Sequence, residues 1–113
     1  MSVIYTVALP DPAQARGSHP DLAFSADGPD GFAEQLQQAL RDDGLFERWA
    51  QMQPEPDEVD PLLGATDPQA SVTGRLDSMR ILLQVRTSLP GEIVKHRLHL
   101  LAGTHWQLRD VRL

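Results

Sequence analysis

The chain has 113 residues, the size of one domain, since chains divide into several only beyond roughly 250 residues. It contains no cysteine, which excludes a disulfide framework, a zinc–thiolate site and a thiol nucleophile together. Sixteen acidic against ten basic side chains give a net charge of −6, which argues against affinity of the whole molecule for nucleic acid or an anionic membrane.

The first residues, MSVIYTVALPDPAQ, have neither a basic opening nor a long apolar run, and no stretch of the chain reaches the roughly 18 apolar residues of a membrane span. A soluble cytoplasmic protein is the expectation, and nine arginines to one lysine point to a GC-rich bacterial genome. Charge is distributed unevenly. Residues 1–69 carry three basic and thirteen acidic groups, whereas residues 70–113 carry seven basic and three acidic. Such polarity belongs either to a binding surface or to two parts of one fold that attract each other.

Residues 2–9 are β-branched and aromatic enough for a strand, with apolar side chains on both faces, which predicts a covered position in a sheet. Prolines and glycines make residues 10–29 a long loop, anchored by Leu22 and Phe24. Within it Arg16 is the only basic residue of the first forty, either a recognition tip or a partner for its acidic neighbours. Asp30 reads as a helix N-cap, and Phe32, Leu36, Ala39 and Leu40 fall on one stripe of a helix that Asp42, Asp43 and Gly44 end or kink. Leu45, Phe46, Trp49 and Met52 make a second, shorter stripe. Four prolines and five carboxylates mark residues 53–69 as a linker with a contact at Leu62 and Leu63.

From Ala70 the apolar period changes from 3.6 to 2. Taking Asp77–Ser78, Pro90–Gly91 and residues 102–104 as turns predicts a meander of four antiparallel strands at 70–76, 79–88, 93–101 and 105–112. One face of that sheet collects Val72, Leu76, Met79, Ile81, Leu83, Val85, Val94, Leu98, Leu100, Trp106 and Leu108 and should bury the helix stripe. The outer face collects Arg75, Arg80, Arg86, Lys95, Arg97, His99 and Arg109 among others. Like charges opposite one another call for an anionic counterpart, either the acidic linker through Asp57, Glu58 or Asp60, or the acidic surface of a partner protein. Sheet-based RNA readers stack bases on aromatic rings, and this face offers only His99 as a planar group, which argues against nucleic acid.

On the apolar face the same register sets His96 opposite Asp110, a geometry that orients an imidazole base but also satisfies a structural pair. No nucleophile matches it: Ser71, Thr73 and Thr87 are candidates by type alone. The four histidines show neither HxxxH nor HExxH spacing, so no metal or other cofactor is expected.

The element order predicts a single α+β domain over residues 1–113: two layers, a four- to five-stranded antiparallel meander with one or two helices on one face. A helix followed by a meander ending in a Trp-containing strand, over residues 30–113, resembles cystatin-like and small nuclear-transport-factor-like domains in element order. The resemblance implies a fold and no activity. The expected function is a small acidic non-enzymatic protein–protein interaction module of the adaptor, chaperone or immunity-inhibitor type, using Arg80, Arg86, Lys95, Arg97, His99 and Arg109. The competing expectation is a small-molecule binder or enzyme with a helix–sheet cavity lined by Trp49, Trp106, Met79 and Leu83, with His96 and Asp110 as its polar groups. Homodimerisation through the edge strand at 104–113 is a third.

Overall fold

A strand apolar on both faces belongs in the middle of a sheet, and β1 (Val3–Leu9) lies there in the computed structural model, which describes residues 2–113. β2 (Ser71–Asp77) and β3 (Arg80–Thr87) form a hairpin, and β4 (Gln107–Arg112) takes the far edge, giving the order β2-β3-β1-β4 with every pairing antiparallel. Three helices, α1 (Pro29–Arg41), α2 (Gly44–Gln51) and α3 (Gly91–Ala102), complete an α+β fold with one open sheet. Short 3-10 turns at Pro12–Gln14, Pro56–Glu58 and Pro61–Gly64 punctuate the loops. Among the described residues no helix is long and apolar enough to cross a membrane.

The predicted strand at 93–101 is instead α3. Its buried residues, Ile93, Val94, Arg97, Leu98, Leu100 and Leu101, follow helical spacing, and a charged residue sits in the middle of that stripe. Arg97 broke the apolar 3.6 pattern, and the remaining residues then matched a period of 2. Pro90 is the N-cap of α3 and not a hairpin corner, while Gly103, at φ 64°, closes the helix in a conformation that favours glycine. With α3 between β3 and β4 the strands are no unbroken meander, and the element order behind the cystatin-like resemblance is not that of this chain.

The first hairpin turns at Ser78 and Met79, both at positive φ (51° and 69°), rather than at Asp77 and Ser78. The pairing therefore moves by two residues, which conserves the faces. It also lifts Met79 out of the expected apolar face into solvent, 86% exposed. The helix side of the sheet presents Val7, Leu9, Ile81, Leu83 and Val85, which bury the α1 stripe of Phe32, Leu36 and Leu40 and the α3 residues Val94 and Leu98. α1 starts at Pro29, with Gly28 as N-cap and Asp30 inside the first turn rather than capping it. The Pro29 carbonyl lies so close over β2 that a Cβ at Gly74 would collide with it. α1 also seals the start of the β2 edge: Val72 N donates to Gln37 Oε1 (3.0 Å), and Arg41 Nε donates to the Ala70 carbonyl (2.7 Å).

Candidate partner-binding surface

Alternation along the strands leaves one face of the sheet without a helix. Across it, the strand registers set out rows: Ser71, Arg86, Ile4 and Arg112; then Thr73, Gln84, Thr6 and Asp110; then Arg75, Leu82, Ala8 and Gln107; with Asp77 beside Arg80 at the hairpin end. A shallow groove of about 480 Å³ crosses this face, lined by Thr6, Thr73, Arg75, Gln84, Asp110 and Arg112. Its polar groups are hydroxyls, an amide, the guanidinium groups of Arg75 and Arg112 and one carboxylate, Asp110, which is paired with Arg112 (2.8 Å); the unpaired donors among them suit carboxylates and an extended backbone.

The acidic linker does not lie on this face. Residues 53–69 fold along the helices: the Leu63 and Ala65 carbonyls accept from Arg97, Asp67 N donates to the Leu40 carbonyl (2.8 Å), and Gly64 lies against the Phe46 ring. Among the described residues three ion pairs form, Arg16 with Asp27 (3.8 Å), Arg80 with Asp77 (3.8 Å) and Arg112 with Asp110 (2.8 Å), each inside its own half of the chain. Arg75 and Arg86 thus stand on the open face with no carboxylate partner among them. Arg109 is the extra residue of a β-bulge in β4, since Asp110 opposes Thr6 and Leu108 opposes Val7.

Three residues expected on this face lie elsewhere because their segment is helical. Lys95 and His99 are exposed on α3, and Arg97 is fully buried, which removes it from any binding surface. Its guanidinium donates through Nε to the Ala39 carbonyl (3.1 Å), through Nη1 to that of Leu63 and through Nη2 to that of Ala65 (2.7 Å), and it lies 5.9 Å from the Phe46 ring centroid. Burial pushes its pKa down, and the charge of Asp43 pushes back. Arg97 is the clasp between α3, α1 and the linker. Arg16 plays a smaller version of this part, donating to the Ala26 carbonyl (2.7 Å) and lying over Phe32, so it pins the long loop.

His96 and Asp110 do not meet. Asp110 is on the open face opposite Thr6, while His96 packs edge-on against Trp49 (4.5 Å between ring centroids) on the helix side. Trp106 is tied to the Gly103 carbonyl through Nε1 (3.0 Å), and the space between helices and sheet is filled by the core. The six residues expected to line a helix–sheet cavity, Trp49, Trp106, Met79, Leu83, His96 and Asp110, are therefore not assembled into one. Burial, then the charges of Arg97 and His99, lower the His96 pKa, and its Nδ1 is buried without a hydrogen-bond partner among the described residues. No hydrogen bond to Nδ1 orients the ring, and its contact with Trp49 is one of packing. No group of three or more His, Asp or Glu that could hold a metal ion occurs among the described residues.

A polar centre that sequence reasoning missed is Asp67. Its carboxylate accepts from Thr87 Oγ1 (2.8 Å), Ser88 N (3.0 Å) and its own turn at Gln69 N (3.0 Å), tying the linker to the end of β3. Burial raises its pKa, and these donors together outweigh burial and hold it below the ordinary 3.8. The only sequence sign was an aspartate before proline in a linker rich in both.

The class these observations define is an α+β domain whose single antiparallel sheet keeps one polar, arginine-bearing face open. The chain matches no family model, no curated protein and no solved structure among those compared.

Proposed function

We propose that this chain is a non-enzymatic protein–protein interaction module that receives an acidic segment of a partner on the open face of its sheet. The observation that carries the reading is the state of Arg75 and Arg86: cations on a face that no helix covers among the described residues, with the acidic linker folded on the other side. Basic groups held apart from the acidic bulk of the molecule steer an anionic partner to one face and repel it from the other. The rows of that face contain no aromatic ring, so a base would find no stacking platform, which favours protein over single-stranded nucleic acid.

The test is selection of displayed peptides on the wild-type chain and on the Arg75→Glu, Arg86→Glu double variant, after both are shown to fold. The expected result is enrichment of acidic peptides by the wild type, binding that weakens with added salt, and loss of that binding in the variant. Equal enrichment by both chains, enrichment without acidic character, or tighter binding of single-stranded oligonucleotides than of any peptide overturns the reading.

A further inference from the structure

All six residues of β4 are exposed, and no helix packs substantially over the strand. Its inner edge is bonded to β1, and among the described residues nothing bonds the backbone groups of its outer edge. The opposite edge of the sheet is treated differently, since Gln37 and Arg41 of α1 occupy the start of β2. Free edges are usually guarded by bulges and charged side chains, and β4 has both. The question is whether these bar every strand or select one.

The bulge settles which side chains share a face. Leu108 opposes Val7 and Val111 opposes Tyr5, so both point to the helix side although they are three residues apart; Gln107, Asp110 and Arg112 point to the open side. Leu108 is 38% exposed and Val111 48%, apolar groups at the margin of the core that the helix layer does not reach. A two-fold axis normal to the sheet keeps each face on its own side, and directly opposed residues of antiparallel strands share a face. Setting bulge against bulge meets that condition: Leu108 falls opposite the partner's Val111 and Gln107 opposite the partner's Arg112. At the centre Arg109 falls opposite the partner's Asp110, twice by symmetry. A slip of one residue would set Leu108 against the partner's Asp110 or the partner's Arg112.

We infer that two copies of this chain pair antiparallel through β4 in this register, joining their sheets into one continuous sheet. The charges that close the edge to other strands are complementary to their own copy in one register. Leu108 and Val111 of both copies then form a single apolar row beside the two helix layers. Asp110 and Arg112 of this edge also line the groove, whereas Arg75 and Arg86 lie away from the edge, so the Arg75→Glu, Arg86→Glu variant tests the acidic-partner reading without touching the dimer edge and Arg109→Asp tests the dimer without touching the groove.

Sedimentation velocity of the full chain over a concentration series tests this with three proteins: wild type, Arg109→Asp, and the double variant Arg109→Asp, Asp110→Arg. Both substituted positions, 109 and 110, are exposed, and circular dichroism with urea midpoints verifies that each variant folds. The wild type is expected to show a monomer–dimer equilibrium. Arg109→Asp sets aspartate against the partner's Asp110 at both central pairs and is expected to raise the dissociation constant about tenfold, and the double variant to return it to near the wild-type value. A wild type that stays monomeric up to submillimolar concentration, a dimer indifferent to Arg109→Asp, or a double variant as weak as the single one overturns the inference.

Discussion

Arg97 is the residue whose replacement discriminates most sharply between ways of reading this fold. It is fully buried, no carboxylate lies within ion-pair distance among the described residues, and three backbone carbonyls from α1 and the linker share its guanidinium. A hydrogen bond from a charged donor is worth about 1.5–3 kcal/mol, and orphaned buried acceptors cost about 1–3 kcal/mol each. Part of that is recovered by water entering the site, so Arg97→Ala is expected to destabilise by about 3–5 kcal/mol, in line with other broken buried polar networks. Against roughly 6–17 kcal/mol for a chain of this length, that is a large share of the total. Arg97→Met refines the test, since it keeps volume and removes the burial cost of a charge but leaves the carbonyls of Ala39, Leu63 and Ala65 unpaired. It should still lose about 2–4 kcal/mol. Urea unfolding followed by circular dichroism and tryptophan fluorescence reads these losses; with a slope of about 2 kcal/mol per molar, the midpoint of Arg97→Ala falls by about 1.5–2.5 M. An Arg97→Met variant as stable as wild type would refute the reasoning, because the guanidinium would then not be the group that holds the linker to the helices.

Other consequences of the structure are equally measurable. Asp67→Ala removes the acceptor of Thr87, Ser88 and Gln69 and should cost about 2–4 kcal/mol in the same urea assay; because the folded pKa is depressed, the Asp67 contribution is present above 3.8 and lost as pH falls through the folded value. His96 titrates with the same slope for the opposite chemical reason. Its folded pKa lies below 6.5, so the unfolded chain binds the proton more readily, and stability should fall as pH drops below 6.5; a His96→Leu variant measured from pH 7.5 to 5 should lose that part of the slope. Met79→Gly relieves a side chain held at φ 69° and should raise the midpoint by the equivalent of about 0.5–1 kcal/mol. Gly74→Ala sets a Cβ against the Pro29 carbonyl and should cost about 1–3 kcal/mol, measured the same way.

Wherever one pattern dominated a segment, the sequence was legible. β1 was readable because both of its faces are apolar, α1 because Phe32, Leu36 and Leu40 repeat at helical spacing, and the β2–β3 hairpin because alternation survives a two-residue shift of the turn. α3 was not, and the reason is one residue. Arginine at the centre of a buried stripe is rare, so its helical pattern reads as interrupted while Val94, Leu98 and Leu100 still alternate with polar neighbours. That error carried the site with it, since Lys95, Arg97, His99 and the His96–Asp110 pair were all placed by a strand register that does not exist. The arginines of the true strands, Arg75, Arg80 and Arg86, kept the face assigned to them because the hairpin parity was right. The clasp of Arg97 and the knot at Asp67 could not be read in advance, since both bind backbone groups of a linker whose path no local pattern encodes.

The charge asymmetry of the sequence becomes, in three dimensions, an asymmetry between layers. The strands hold Arg75, Arg80, Arg86, Arg109 and Arg112 against Asp77 and Asp110, while every other acidic residue belongs to helices and loops. Among the described residues, opposite charges on the two halves of the chain do not meet as ion pairs, and the one attraction across the halves that the structure brings close, Asp43 towards Arg97, lies in the helix layer and not on the sheet face. A net charge of −6 therefore conceals a basic face. At physiological ionic strength fields are screened over about 8 Å, so an anionic segment near the sheet responds to the local arginines more than to the distant helix layer. The same argument restricts what binds: a partner acidic over its whole surface is repelled by the helices and loops at its flanks, whereas a short acidic stretch on a neutral partner is not. Raising salt should thus weaken binding of a short acidic peptide, but should first strengthen binding of a uniformly acidic protein, and the two salt profiles distinguish local from global recognition.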